Sequence, residues 1–184
     1  MKKLTLTTLA AATLFSSLAL ANPLEGHRVG LGFSDTAISD WERDVSIGWG
    51  SGIRLEYGYE FNRIVGVNLS YSENNDSVKV DNSRYDINGS TFQLDADIGY
   101  KFMLDGFSIK PYGIIGLARH DETHKIKLGD SHQGKASWND TSLVAGLGAR
   151  AEFGSHIYTD VRFDIAAYDD ADIDQFSWTI GYKF

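Results

Sequence analysis

The 184-residue chain carries 17 Lys and Arg against 25 Asp and Glu, a formal charge of −8, with 19 Gly, 2 Pro and no Cys. So acidic a chain is a poor partner for nucleic acid, which rewards basic surfaces, and without Cys no disulfide framework can hold it. Abundant Gly and scarce Pro favour strands and turns over helices.

The first element is a leader. Lys2 and Lys3 form a positive start, residues 4–18 are apolar with a few Thr and Ser, and Ala19-Leu20-Ala21 is a small-x-small site followed by Asn22-Pro23. This pattern predicts a secretory signal peptide over residues 1–21, removed after Ala21. Its apolar core falls short of the ~20 residues a membrane span needs. The remainder, residues 22–184, is one domain by length.

Eight segments then alternate between large apolar and small or polar residues, the mark of a strand with two unlike faces. They cover residues 27–34, 52–61, 64–71, 91–102, 107–119, 143–153, 157–167 and 176–184. Leu31, Leu55, Leu69, Leu94, Leu147 and Phe163 typify the apolar face. In the fifth segment residues 111–117 fit either register. The last segment alternates most strictly, with Phe176, Trp178, Ile180, Tyr182 and Phe184 on one face. Each segment is long enough for a tilted strand to cross a bilayer. Short connections at 62–63, 104–106 and 154–155 alternate with long polar ones at 35–44, 73–90, 121–139 and 169–174. In an up-and-down meander all short turns then lie at one end and all long loops at the other. Aromatic residues gather at strand ends, as Tyr57, Tyr59, Phe61, Tyr100, Phe102, Tyr182 and Phe184 do, which suits an interfacial girdle. The fold class predicted is all-β, an eight-stranded antiparallel up-and-down transmembrane barrel.

Three stretches also carry a resemblance: the terminal Gly181-Tyr182-Lys183-Phe184, the strand–turn–strand Tyr57-Gly58-Tyr59-Glu60-Phe61-Asn62, and Lys110-Pro111-Tyr112-Gly113. Through them the chain resembles the eight-stranded outer-membrane barrels, meaning the OmpA transmembrane domain, the OmpX/Ail group and the porin-like outer membrane β-barrel proteins. That resemblance implies a Gram-negative outer-membrane location with the long loops extracellular. It also implies that Trp178, Ile180, Gly181, Tyr182 and Phe184 form the signal read by the barrel-assembly machinery. No segment resembles the periplasmic peptidoglycan-binding domain of full-length OmpA.

With the apolar set facing lipid, the alternate set fills the lumen: Arg54, Glu56, Glu60, Asp95, Asp97, Arg150, Glu152, Asp160, Arg162 and Asp164, beside Lys183, Gly181, Thr179 and Ser177. Eight strands leave room for side chains and little else. Buried charges must pair, so arginines are expected to bridge carboxylates from other strands as a structural plug, in preference to an ion path. Inward glycines at 30, 32, 58, 66, 99 and 146 fit a crowded interior.

The long loops hold most of the acidic excess. Asp170, Asp172 and Asp174 begin like a calcium loop but lack its Gly and distal Glu, so a solvated acidic loop is expected. His120, His124 and His132 could make a metal or acid–base site; without a recognisable spacing they are taken as exposed polar residues. Residues 78–80 and 85–87 read as a hairpin continuing strands three and four above the membrane, and residues 126–128 as a similar extension. Such edges can accept a partner's strand.

The leading function is a non-enzymatic barrel serving envelope integrity or surface binding, with no cofactor and no metal. The expected partners are outer-membrane lipid and lipopolysaccharide, the assembly machinery, and an extracellular ligand or host surface; a monomer is expected. One alternative is a narrow conduit for small or hydrophobic solutes. The other is a lipid A-modifying enzyme, disfavoured because the His-x-Ser-Asn pattern is absent and His156 falls on the periplasmic side.

Overall fold

The computed structural model describes residues 24–40, 45–80, 83–128, 131–168 and 172–184; the predicted leader and its cleavage site lie outside them. Eight long strands make up the fold: β1 (Gly26–Asp40), β2 (Val45–Glu60), β3 (Val65–Val80), β4 (Ser83–Gly99), β5 (Phe107–Leu128), β6 (Ser131–Phe153), β7 (Ile157–Ala167) and β8 (Asp172–Lys183). After Gly99 the chain bends, and Phe102 and Met103 rejoin the sheet against Ile109 and Ser108 of β5. Each strand pairs antiparallel with its sequence neighbour, and β8 returns to β1 from Arg28–Lys183 to Ser39–Asp172. The sheet is thereby closed and keeps no edge within the barrel wall. Among the described residues no helix is long and apolar enough to cross a membrane.

Burial is inverted relative to a water-soluble fold. Leu147 is 73% exposed and Leu143 70%, whereas Arg54 is 1% and Glu60 0% exposed. A continuous apolar wall of this size would aggregate in water; against acyl chains it is the face of lowest free energy. Phe33, Tyr71, Phe92, Phe163 and Phe176 ring the band's upper border, and Tyr59, Phe61, Tyr100, Phe102, Phe107, Phe153 and Tyr182 its lower one.

The ends differ as the connection lengths predict. At the lower end Asn62 Oδ1 accepts the backbone N–H groups of Ile64 and Val65 at 2.7 and 2.9 Å, and Gly106 and Gly154 supply the left-handed residues of two further turns. At the upper end the correction is large. Most of the four predicted long loops is strand: β1 and β2 pair to Asp40–Val45, β3 and β4 to Val80–Ser83, and β5 and β6 to Leu128–Ser131. The hairpin predicted over residues 78–87 is therefore present, as is the extension at 126–128. Polar residues hid these strands because, above the bilayer, neither face has to be greasy.

Strand five takes the register with Lys110, Tyr112, Ile114 and Ala118 inward and Pro111, Ile115 and Leu117 outward. One irregularity matters for function. Between β1 and β2 the register passes from Thr36–Gly50 to Ala37–Gly48, skipping Trp49, and Gly50 sits at φ +104°. This bulge inverts the alternation of β2 above it.

Candidate functional site: the lumen and its extracellular mouth

All ten charged residues predicted to face inward lie inside the barrel. Four more basic side chains join them, giving seven basic residues (Arg28, Arg54, Lys101, Lys110, Arg150, Arg162, Lys183) beside seven acidic ones (Glu56, Glu60, Asp95, Asp97, Glu152, Asp160, Asp164). This balance is what a low-dielectric interior demands.

The network has three tiers. In the middle, Arg150 bonds Glu60, lies 3.4 Å from Asp97 and reaches Asp160 at 2.7 Å. Arg28 donates to Glu60 at 2.9 Å and to Asp97 at 3.3 Å, and Lys110 bonds the same two carboxylates. Three cations from β1, β5 and β6 thus share carboxylates from β2, β4 and β7. Tyr112 bonds Asp160, and its ring lies 5.0 Å below the Arg150 guanidinium. Above, Arg162 donates to Asp95 at 2.8 Å and lies 3.3 Å from Asp164, while Arg54 donates to Gln175 at 3.1 Å. Below, Lys101 and Lys183 grip Glu152 at 2.6 and 3.1 Å.

Arg28, Lys101 and Lys110 were missed for different reasons. Arg28 shares the parity of Gly30 and Gly32, and Lys101 that of Asp97 and Gly99, so the signal was available for both. Lys110 sits beside the stretch whose two registers look alike.

A second layer lies in the upper lumen. Ala118, Val144, Ala166, Tyr168 and Ile173 form an apolar cluster flanked by Ile38 and Trp138. Beside it, Glu122 accepts a hydrogen bond from Trp49 Nε1 at 2.6 Å and contacts His120 Nε2 at 2.9 Å and His124 Nε2 at 2.5 Å. His120 Nδ1 is 2.8 Å from the Thr91 hydroxyl, and its ring lies 5.7 Å from that of Trp138. The expectation that the histidines are exposed is corrected: His120 is fully buried, because β5 continues past Arg119 and keeps even-numbered residues inside. The side chain of His132 lies outside the described residues. Among the described residues no three His, Asp or Glu side chains are arranged around a metal position; His120, Glu122 and His124 bond one another along one strand instead. Residues 169–171 of the acidic connection lie outside the described residues, and Asp172 and Asp174 belong to β8.

Glu122 stands above the lipid band. Burial alone would raise its pKa, but hydrogen bonds from His120 and Trp49, with the charges of His120 and His124, hold it below the ordinary value. Its folded pKa is depressed, so its contribution to stability is full above the ordinary carboxylate range and is lost as pH falls through the folded value. Acid titration of wild type and Glu122→Gln, followed by thermal melting, should show a stability gap that is constant near neutrality and closes below the ordinary Glu value of 4.5. A gap that persists in acid would remove the ionised carboxylate as its source.

The protruding sheet is the third part of the site. β3–β4, β4–β5 and β5–β6 pair to their tips. By contrast, β2–β3 pairing stops at Ser51–Asn75 and β6–β7 pairing at Val144–Ala166. Among the described residues, no strand pairs with the second edge of β6 from 131 to 143.

Four of the five predicted assembly residues sit on the closing strand, and Phe184 directly follows it. Trp178, Ile180 and Tyr182 face outward at about half exposure, and Gly181 faces in against the Tyr158 ring.

Comparison with known proteins agrees with this architecture. The chain overlays Ail of Yersinia pestis at 19% identity with a TM-score of 0.63, covering 88% of this chain and 100% of that one. Ail has also been solved with the heparin analogue sucrose octasulfate. The N-terminal β-barrel domain of Pseudomonas aeruginosa OprF matches at 19% identity and a TM-score of 0.58, over 87% of this chain and 99% of that one. Neisserial surface protein A matches at 15% identity and 0.53, over 86% and 97%. These likenesses are of fold. A search of curated proteins finds no match. The family model for the outer membrane protein beta-barrel domain matches residues 7–184, and with the inverted burial and closed eight-stranded sheet it shows that this chain belongs to that family of Gram-negative outer-membrane barrels.

Proposed function

We propose that this protein is a non-enzymatic surface barrel whose lumen is plugged and whose protruding sheet and acidic hairpins meet partners outside the cell, in the service of adhesion or envelope integrity. The open edge of β6 carries the reading. A row of unpaired backbone N–H and C=O groups recruits an extended segment of a partner by strand addition. The charge network acts as the plug, residues 178–184 guide assembly, residues 1–21 are removed on export, and the barrel works as a monomer in contact with outer-leaflet lipid and lipopolysaccharide.

Shortening the two protruding hairpins, by deleting residues 77–86 and 124–135, tests this. Adhesion of cells displaying the barrel and their resistance to detergent should fall, while heat-modifiable gel migration stays that of a folded barrel. If neither phenotype moves, the protruding sheet has no such role.

The conduit reading has one observation in its favour. Arg54 Nε and Nη2 and Arg162 Nε and Nη1 find no protein acceptor, so the lumen is polar and loosely filled at that height. The apolar cluster above it opposes passage. Planar-bilayer recordings are therefore expected to show no conductance steps, and regular steps would favour the conduit instead. As for lipid A chemistry, His156 lies in the lower turn, remote from the outer leaflet. Overexpression should leave the lipid A mass spectrum unaltered.

A further inference from the structure

The protruding hairpins present two unlike faces. Among the described residues Arg84, Arg119, Lys125 and Lys135 are their basic side chains, and all four stand on the outward face. The inward face of these hairpins shows no lysine or arginine among the described residues. One cross-strand row on it runs Asn74–Gly89–Glu122–Trp138, and the next row up runs Asp76–Ile87–His124–Ala136. The bulged Trp49 reaches the same place from β2, where its indole donates to Glu122. Trp49 and Trp138 are both half-buried, and each adjoins Glu122. The surface is thus aromatic and acidic. It also opens to solvent, since the His124 side chain is 38% exposed and Tyr85, on the same face, 42%.

One acceptor in this row lacks a donor. The Asn74 side chain is buried and lies across Gly89, where the missing Cβ admits it. Its Nδ2 donates to the Trp49 carbonyl at 3.1 Å, and that bond sets which way the amide faces. Among the described residues its Oδ1 then has no donor. A buried acceptor left open costs free energy that an N–H of a ligand recovers. One row above, Asp76 accepts the backbone N–H of Ser77 at 2.7 Å and forms no ion pair among the described residues.

We infer that this inward face of the extracellular mouth binds the guanidinium group of an arginine side chain presented by a peptide or protein outside the cell. Asn74 Oδ1 calls for an N–H donor, Asp76 and Glu122 call for a positive charge, and the flanking indoles call for a flat group. A guanidinium has five donors in a planar fork, a permanent charge and a face that stacks on aromatic rings. An ammonium lacks the plane, and a quaternary ammonium lacks the donors. The basic outward face repels such a ligand, which leaves the mouth as its side of approach. The inference rests on the extracellular placement of the hairpins in the proposed function and is independent of strand addition at β6.

The test uses the full barrel, with isotope-labelled tryptophan, refolded into nanodiscs of zwitterionic lipid. The probes are blocked tripeptides with arginine, citrulline or trimethyl-lysine between two glycines, and free methylguanidinium. Citrulline keeps the plane and loses the charge; trimethyl-lysine keeps the charge and loses the donors. The arginine peptide should bind about tenfold more tightly than either, and less tightly as salt rises. It should move the indole N–H resonances of Trp49 and Trp138 and leave that of the lipid-facing Trp178 in place. Asn74→Ala and Asp76→Asn should each weaken the arginine peptide by about fivefold or more. Asp86→Asn, on the outward face of the same hairpin, should bind like wild type. Heat-modifiable migration reports that each variant is folded, and Asp76→Asn, at a partly exposed position, decides the matter should Asn74→Ala fail to fold. Equal affinity for the arginine and citrulline peptides overturns the inference, as do unmoved Trp49 and Trp138 resonances or an Asp76→Asn barrel that binds like wild type. Tighter binding of methylguanidinium than of the arginine peptide would assign the site to a free solute and overturn the peptide as its source. The variants leave the hairpins and the β6 edge in place, so their peptide affinity is read separately from the adhesion and detergent phenotypes that test the proposed function.

Discussion

Arg150→Ala is expected to destabilise the barrel by about 3–5 kcal/mol, the usual cost of breaking a buried ion network from one side. Its guanidinium holds Glu60, Asp97 and Asp160, which come from three other strands, and it is 1% exposed. Removing it leaves Arg28 and Lys110 to compensate Glu60 and Asp97, and leaves Asp160 with Tyr112 alone among its close partners. Lysine should not rescue, because one ammonium cannot reach three carboxylates with the geometry of a planar fork. The exposed Arg119→Ala serves as the control and should cost less than about 1 kcal/mol. Urea unfolding in detergent micelles, read by tryptophan fluorescence, measures both. A loss at Arg150 as small as that at Arg119 would mean that internal water carries the carboxylates.

Gly30→Val should be nearly as damaging, at the β1–β8 seam. A Cβ at Gly30 would overlap the Tyr158 hydroxyl and the Thr179 methyl, and on the adjacent strand one at Gly181 would overlap the Tyr158 ring and the Val29 carbonyl. Tyr158 is fully buried and lies across this glycine pair. Overpacking costs typically 1–3 kcal/mol, and with the buried Tyr158 ring and the Thr179 side chain both in the way the upper end of that range is expected. Tyr158→Ala should recover part of the loss, and the double-mutant cycle gives the coupling. Additive effects would show that the ring is not what excludes a larger residue. Failure of Gly30→Val to migrate as a compact species on unheated gels would place the defect at barrel closure.

The lipid-facing residues were legible because a bilayer punishes any break in period two. Leu147 and Leu143 could be placed outside from alternation alone, and the same parity sent Arg54, Asp97 and Arg150 inside. Legibility ended where lipid ends. Above Arg119 both faces of β5 meet polar surroundings, so His120 and Glu122 gave no sign that their strand continued. Trp49 was hidden differently: a single bulged residue reversed the parity on which any reading of β2 depends. In β5, Ile114 and Ile115 are interchangeable by hydropathy, and only the pairing with β4 and β6 separates them. What the sequence does not encode at all is which carboxylate each arginine finds. Those partners lie up to four strands apart, as Arg150 and Glu60 do, and the diameter of the closed sheet sets their distance.

The Trp49–Glu122 bond has a consequence for how the molecule is made. The two residues belong to β2 and β5, and in a flat ribbon three strand spacings would hold them roughly 14 Å apart. Their hydrogen bond exists only when the ribbon has curled and its first strands overhang the fifth. The indole therefore behaves as a curvature gauge. In a refolding experiment on a variant whose other three tryptophans are replaced by Phe, its fluorescence should change with cylinder formation and stay silent during the earlier growth of hairpins, which makes Trp49 a timer for closure.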